Sequence, residues 1–188
     1  MGLYQLLSLQ KKIFIMKRLT KIITFCILLI LSIQSLKAQE NNTIRANLPD
    51  VSIKNIAGES VHVGKITNNN NPILICFWKT CCKKPGEYLD AISEVYEDWV
   101  NETGVVLYAV AIDDTRSSSR VAPFVNSHGW EFEILLDVNS DLKRAMNVVL
   151  TPHTFLLNGK GEIVWQKSMY TYGDEELIYE KISQLVKK

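Results

Sequence analysis

The segment that decides the fold is Pro72-Ile-Leu-Ile-Cys-Phe-Trp-Lys-Thr-Cys-Cys-Lys-Lys-Pro-Gly-Glu-Tyr-Leu-Asp-Ala-Ile92. It begins with an apolar run through Trp78, passes through a short turn, and continues from Pro85 with apolar residues at helical spacing. This order predicts a buried strand, a tight turn and an amphipathic helix. Cys82 falls at the turn, where the N-terminus of the helix would stabilise a thiolate. The turn is therefore a candidate site for redox chemistry.

The rest of the chain predicts strands and helices that alternate around this unit. Strands are predicted over 51–56, 60–63, 73–78, 104–112, 132–136, 154–157 and 162–166, and helices over 85–100, 118–128, 141–147 and 174–187. The fold class is therefore α/β, with a central mixed β-sheet flanked by helices and an extra N-terminal β-hairpin. Sites on such sheets lie beyond the carboxyl ends of the parallel strands, which is where residues 78–82 fall.

The first 38 residues have the features of a secretory signal peptide. They contain six basic and no acidic residues, and from Met16 a basic start is followed by an apolar run over 22–33 and then by Ser35-Leu-Lys-Ala38. The apolar run is short for a membrane span, which needs about 20 residues. We expect the true start at Met16, cleavage after residue 38, a flexible lead-in over 39–50 and one domain over 51–188. An uncleaved N-terminal anchor is the alternative.

Removal of this leader changes the charge of the chain. The full sequence has 21 basic and 20 acidic residues, and without the six basic residues of the leader the balance is 15 to 20, a net charge of −5. A mildly acidic domain without a basic stripe argues against nucleic acid as a partner. Contact with a membrane is expected only if the leader stays uncleaved.

Three cysteines remain after the leader, Cys76, Cys81 and Cys82. An odd number in an exported protein leaves at least one thiol free or paired with another molecule. Because all three fall within seven residues, they indicate a site rather than a disulfide framework.

Residues 77–89 resemble the active-site segment of exported thioredoxin-like proteins of the TlpA/ResA type. Relatives carry Phe-Trp-Ala-Thr-Trp-Cys-x-x-Cys-x-x-Glu-Leu, and this chain aligns with that segment without gaps. Pro152-His-Thr-Phe-Leu-Leu157 is similar to the family's cis-proline segment, and Gly161-Glu-Ile-Val164 to its Gly-x-Ile-Val. The resemblance implies a thioredoxin fold, a bacterial periplasmic location and thiol–disulfide exchange with protein or peptide partners.

The departures from the family pattern fall on its chemistry. The resolving cysteine is replaced by Pro85, the tryptophan before the first cysteine by Cys81, and the acidic residue of the helix by Tyr88. Cys76 occupies the position of the buried acid found in thioredoxin itself. The resemblance therefore supports the fold more strongly than ordinary dithiol turnover.

Cys82 is the candidate catalytic nucleophile. A lone thiolate can attack a disulfide and form a mixed disulfide, but it then needs a second thiol for release. That thiol could come from solution, from Cys81 through a strained vicinal disulfide, or from Cys76 after movement of the strand. Cys81 also has a simpler interpretation as a small residue in the tryptophan position, and Cys76 as a buried apolar residue.

The resemblance assigns substrate binding to Trp78, Thr151 and Pro152. Pro152 would be the cis-proline that faces the active cysteine and presents backbone to an extended substrate. An ordinary loop proline and a core tryptophan are the simpler interpretations. His153 either contacts Cys82 or a ligand, or is a surface residue at the end of a loop.

Two functions follow from these residues. The first is thiol–disulfide exchange through a single active-site cysteine, and the second is a redox-inactive module that binds a peptide or partner protein. A peroxiredoxin needs a proline seven residues before its cysteine and a threonine or serine three residues before it. This chain has Ile75 and Lys79 at those positions, which disfavours peroxide reduction. Cys81, Cys82 and His153 could bind copper or zinc, but the sequence offers no second pair of ligands at metal-binding spacing. We therefore expect no cofactor.

Overall fold

The computed structural model describes residues 17, 18, 21 and 46–186. The chain divides into two compact units, 1–42 and 43–188, and the fold below is that of the second. Lys17, Arg18 and Lys21 are helical and exposed. The predicted signal peptide otherwise lies outside the described residues. In the described part of the chain, no helix combines the length and the apolar character needed to cross a membrane.

An eight-stranded mixed sheet forms the centre of this unit. Its strands are β1 (Ala46–Asn47), β2 (Ser52–Asn55), β3 (Ser60–His62), β4 (Ile73–Trp78), β5 (Val106–Ala111), β6 (Glu133–Leu136), β7 (His153–Leu157) and β8 (Glu162–Ser168). They lie in the order β1-β8-β7-β4-β5-β6-β2-β3. Strands β4, β5 and β6 are parallel, and the other neighbours are antiparallel. The predicted α/β class and mixed sheet are confirmed.

Among residues 46–186, three α-helices connect strands and a fourth follows β8. They are α1 (Lys83–Thr103), α2 (Val121–His128), α3 (Asp141–Ala145) and α4 (Asp174–Val186), with short 3-10 turns at Val63–Lys65 and Ser118–Arg120. The predicted helix over 118–128 is therefore a 3-10 turn that leads into α2. Gly104 ends α1 and Gly129 ends α2, both with a positive φ of 67° that a residue without a Cβ adopts at low cost.

The sheet separates two apolar cores because successive side chains of a strand point to opposite faces. Leu74, Cys76 and Trp78 of β4 pack on one face with buried residues of α1, α2 and α4. Ile73, Ile75 and Phe77 pack on the other face with α3 and the N-terminal hairpin. All six residues of β4 are buried, as expected of a central strand with both faces covered.

The predicted flexible lead-in over 39–50 needs a correction at its end. Ala46–Asn47 form β1 and pair with Ile163 and Glu162 of β8 at the edge of the sheet. Leu48 packs on the second core. Backbone groups of β8 that would face water are paired by β1, and the folded unit therefore begins before residue 51.

Candidate active site

The thiol of Cys82 lies at the N-terminus of α1. Cys82 is the residue that caps this 21-residue helix, its backbone is extended with φ −113° and ψ 125°, and its side chain is exposed. Its N–H donates to the carbonyl of Lys79 at 3.3 Å, which closes the turn after β4. Pro85 is buried in the first turn of α1, where its missing N–H costs little. The strand-to-helix turn therefore keeps its form without the second cysteine of the family.

Asp113 anchors this turn from the neighbouring strand. It follows β5, is only 1% exposed, and accepts hydrogen bonds from the backbone N–H of Thr80 at 3.0 Å and from the Thr80 hydroxyl at 2.5 Å. Since β4 and β5 are parallel, both residues lie at the same edge of the sheet. From the sequence, Asp113 falls at the functional edge of the sheet and is interpreted as an ordinary turn residue, because its contact with Thr80 joins residues 33 positions apart.

Cys81 and Cys82 form a pair of adjacent exposed thiols. Their sulfur atoms are 3.5 Å apart, within reach of a weak hydrogen bond and well beyond a disulfide bond length of about 2.05 Å. The pKa of Cys82 is raised above its ordinary value, first by the hydrogen bond with Cys81 and then by partial burial. The sequence predicted a reactive thiolate at this position, and the adjacent thiol opposes that expectation.

The two lysines that follow Cys82 pair with a carboxylate of their own helix. Lys83 and Lys84 pair with Glu87, at 3.1 and 3.5 Å, and their side chains extend into solvent. Lys79 is the basic residue whose charge lowers the pKa of Cys82, and its effect is smaller than those of Cys81 and of partial burial, which raise this pKa. The electrostatic support for a thiolate therefore comes from Lys79 and the helix N-terminus.

Cys76 lies in a buried polar column beneath the turn. Its side chain is fully buried, and desolvation raises the pKa of its thiol to about 12, although a hydrogen bond with Thr154 acts in the opposite direction. The Thr154 hydroxyl also contacts the hydroxyl of Tyr88 at 2.7 Å. Cys76 and Tyr88 thus occupy the two positions where thioredoxin itself and the family pattern, respectively, have acidic residues, and the Thr154 hydroxyl contacts both of them.

Trp78 does not have the predicted contact with substrate. Its side chain is 0% exposed and packs against Phe124 and Trp130, with ring centroids 5.4 and 4.9 Å away. A residue so enclosed supports the turn from within the core and cannot touch a bound peptide in this conformation. We therefore remove Trp78 from the substrate-binding residues.

Pro152 lies at the same edge of the sheet as the Cys82 turn. The Thr151–Pro152 peptide bond is cis. Strand β7 is antiparallel to β4 and pairs His153 with Phe77, so Pro152 precedes β7 at the edge where β4 ends. The Pro152 carbonyl accepts a hydrogen bond from the N–H of Met169 at 2.7 Å. Among the described residues, the backbone N–H and C=O of Thr151 make no hydrogen bond.

His153 contacts its neighbours on the sheet rather than Cys82. Its Nε2 lies 3.2 Å from the side-chain oxygen of Gln166, its ring stacks on Phe155, and burial lowers its pKa. The structure thus favours the surface role for His153 over a role beside the thiol.

Exposed apolar side chains lie next to the Pro152 loop. Val149 and Leu150 come just before it in the chain and are 82% and 53% exposed, and Met169, whose N–H bonds to Pro152, is 60% exposed. Neighbouring exposed apolar side chains are typical of a surface that another molecule covers. Over the described residues, no group of three or more His, Cys, Asp and Glu side chains could hold a metal ion.

Comparison with known proteins places this site in a family. The model of the AhpC/TSA family matches residues 44–166, which include the Cys82 turn, the Pro152 loop and β1. The chain belongs to the AhpC/TSA family. The curated AhpC/TSA relatives include sporulation thiol-disulfide oxidoreductase A of Bacillus subtilis, 24% identical over 111 residues, which are 59% of this chain and 66% of that protein. They also include the thiol-disulfide oxidoreductase ResA of Halalkalibacterium halodurans, 26% identical over 135 residues, with 72% of each chain covered. The chain thus spans about two thirds of the length of these relatives.

A solved structure with a higher sequence identity has a similar fold. A thioredoxin-like protein from Porphyromonas gingivalis is 46% identical, with a TM-score of 0.68 over 78% of this chain and 95% of that one. The thioredoxin fold and the resemblance to ResA-type proteins are therefore confirmed.

Two residues of this site were given no functional role from the sequence: Tyr88 was named only as a departure from the family pattern, and Asp113 was interpreted as a turn residue. Tyr88 precedes Ile92 by one helical turn, so its inward position could have been read from the periodicity of α1. Asp113 offers no such signal, since an aspartate after a strand is also an ordinary turn residue.

Proposed function

We propose that this protein is an exported thiol–disulfide oxidoreductase that uses Cys82 as its nucleophile and acts on protein or peptide disulfides. The observation that carries the proposal is the position of the Cys82 thiol, exposed at the N-terminus of α1 and at the edge of the sheet that also holds the Pro152 loop. Curated relatives with this fold are named thiol-disulfide oxidoreductases.

The chemistry begins when Cys82 loses its proton and attacks one sulfur of a substrate disulfide. A bond forms between Cys82 and that sulfur, the substrate disulfide breaks, and the second substrate sulfur leaves as a thiolate. Free N–H groups at the start of α1 and the charge of Lys79 stabilise negative charge on Cys82. A second thiol must then attack the mixed disulfide before the substrate is released.

An extended peptide is the substrate form that the Pro152 loop can receive. The N–H and C=O of Thr151 are available to pair with a peptide backbone, as in the addition of a strand to a sheet edge. Val149, Leu150 and Met169 would contact apolar side chains on either side of the substrate cysteine. Thr151 and Pro152 therefore stay in the proposed site after Trp78 has been removed from it.

The proposed location rests on the sequence of the leader. Six basic residues without an acidic one precede and flank a short apolar run, a pattern typical of secretory signal peptides. An exported position in the bacterial periplasm would also give the thiols of this site access to disulfide-bonded substrates.

The raised pKa of Cys82 favours a second candidate, a redox-inactive module that binds a peptide at the Pro152 loop. A thiol that remains protonated near neutral pH attacks disulfides slowly. Such a module would bind its partner equally well when serine replaces Cys82, whereas the oxidoreductase would lose its covalent intermediate.

The full chain can be tested with a short peptide that contains one intramolecular disulfide. We expect a mixed disulfide between Cys82 and the peptide, detected as an adduct on the tryptic fragment 80–83, and no such adduct in Cys82→Ser. Unchanged non-covalent peptide binding with no adduct in the wild type would select the binding module instead.

A further inference from the structure

The geometry points to Cys81 as the resolving thiol of this site, so that the oxidised protein carries a vicinal disulfide between Cys81 and Cys82. This inference rests on the proposed attack by Cys82 and supplies its second step from within the chain. Both thiols are exposed, and their sulfur atoms are 3.5 Å apart before any substrate has bound. A shift of about 1.5 Å would bring them to the length of a disulfide bond.

The other internal thiol is poorly suited to this role. Cys76 is fully buried, hydrogen-bonded to Thr154, and has a pKa of about 12, so it would have to leave the core and lose a proton before it could attack. Cys81 is already exposed beside the Cys82 sulfur and needs no movement out of the core. Pro85 excludes the resolving position that is three residues after the nucleophile in the family pattern.

Anchoring of the turn keeps the two thiols together. Thr80 is held to Asp113 through its backbone and its side chain, and the N–H of Cys82 is held to Lys79. These hydrogen bonds hold the residues on both sides of Cys81 in place. The short distance between the Cys81 and Cys82 sulfur atoms therefore belongs to an anchored turn. The eight-membered ring of a vicinal disulfide departs from ordinary disulfide geometry, and such bonds are more easily reduced.

The step balances without a further reactant. Cys82 is first joined to one sulfur of the substrate by a disulfide bond. The thiolate of Cys81 attacks the Cys82 sulfur, a Cys81–Cys82 bond forms, and the bond from Cys82 to the substrate breaks. The substrate leaves with both of its sulfur atoms reduced, and the two cysteines have lost two electrons and two protons. An external dithiol then reduces the vicinal disulfide for the next cycle.

The sequence allows a sharp assignment of any disulfide that forms. Trypsin cleaves after Lys79 and Lys83 and releases Thr80-Cys81-Cys82-Lys83, which separates this pair from Cys76 on 66–79 and from Cys26 on 22–37. A vicinal disulfide lowers the mass of the fragment 80–83 by that of two hydrogen atoms and does not link it to another fragment. A bond from Cys82 to Cys76 would instead join two fragments.

The test treats the reduced full chain with a small excess of oxidised glutathione and follows the tryptic fragments over time. For the wild type we expect a transient glutathione adduct on the fragment 80–83, followed by the fragment with two hydrogens fewer. For Cys81→Ser we expect at least a tenfold longer-lived adduct and no vicinal disulfide, and Cys76→Ala should behave as the wild type.

Two results would overturn the inference. One is a wild-type adduct that persists as long as that of Cys81→Ser, and the other is a Cys76-linked pair of fragments in the wild type. Failure of the proposed function gives a different pattern, because no adduct would then form on Cys82 in any variant.

Discussion

At the scale of single residues, the chemistry of this site depends on two sulfur atoms that share one environment. Cys82 has the helix N-terminus and Lys79 on one side and the thiol of Cys81 on the other, and the thiol has the larger effect on its pKa. The same neighbour that slows the first attack is also the group that can complete the reaction. Removal of Cys81 should therefore have opposite effects on the two steps.

The pKa of Cys82 should fall when alanine replaces Cys81, because both the hydrogen bond and the charge of Cys81 raise it. The rate of alkylation of the fragment 80–83, measured across a pH series, reports this pKa. The control is Lys79→Met, which removes a lowering charge and should shift the pKa in the opposite direction. Equal pH profiles for the wild type and Cys81→Ala would contradict the described pair.

Cys76 should make the folded chain less stable in alkaline solution. Its pKa is raised to about 12 in the folded state against about 8.5 for a free thiol, so the unfolded chain loses this proton first as the pH rises. The contribution of the Cys76 thiol to the free energy of unfolding is therefore fully present below about pH 8.5. It is lost between about pH 8.5 and about pH 12, with a slope of at most about 1.4 kcal/mol per pH unit.

Urea unfolding at about pH 8 and about pH 11 measures this contribution. Between these two conditions the wild type should lose more free energy of unfolding than Cys76→Ala. If Cys76→Ala loses as much free energy of unfolding as the wild type, the fold does not raise the pKa of the Cys76 thiol.

At the scale of elements, the ends of β4 and β5 are joined to the start of α1 through Asp113. Its carboxylate is buried and satisfies two donors of Thr80. Asparagine in its place keeps the shape but offers one acceptor oxygen for two donors. The turn that carries both thiols should therefore become less stable and more variable.

We expect Asp113→Asn to lower the free energy of unfolding by about 1–3 kcal/mol, the usual cost of a buried polar group without its partner. Asp114→Asn is the matched control, since Asp114 is exposed and bonds only to residues of its own turn. Chemical denaturation of both variants tests the comparison. A larger loss in Asp114→Asn would refute the anchoring role of Asp113.

Periodicity predicted the elements well and their inner faces less well. The buried run 73–78 and the apolar spacing of 85–100 gave β4 and α1 nearly to their ends. Val100 falls on the apolar spacing of α1 but is 38% exposed, whereas Tyr88 is 3% exposed. A hydropathy pattern favours valine over tyrosine as a buried residue. It cannot show that the tyrosine hydroxyl is hydrogen-bonded to Thr154 on another strand.

At the scale of the whole molecule, both edges of the sheet are formed by N-terminal segments. The hairpin of β2 and β3 extends the sheet beyond β6, and β1 covers β8 at the opposite edge. The hairpin was predictable from alternating residues around Ala57-Gly58-Glu59. Strand β1 was not, because two residues carry no periodicity and their pairing with β8 spans more than 100 positions.

The truncated chain 51–188 should be less stable than 43–188 by about 1–3 kcal/mol. It loses the hydrogen bonds of β1 and the apolar contact of Leu48 with the second core. Thermal unfolding of the two chains measures the difference. Equal midpoints would mean that β1 contributes nothing to the folded unit and that the domain begins at 51.

The central claim is that Cys82 exchanges disulfides, and reduction of insulin by dithiothreitol tests it most directly. The wild-type chain should accelerate the precipitation of the reduced insulin chains at least tenfold over dithiothreitol alone, and Cys82→Ser should not accelerate it. Equal rates for the wild type, Cys82→Ser and dithiothreitol alone would contradict the claim.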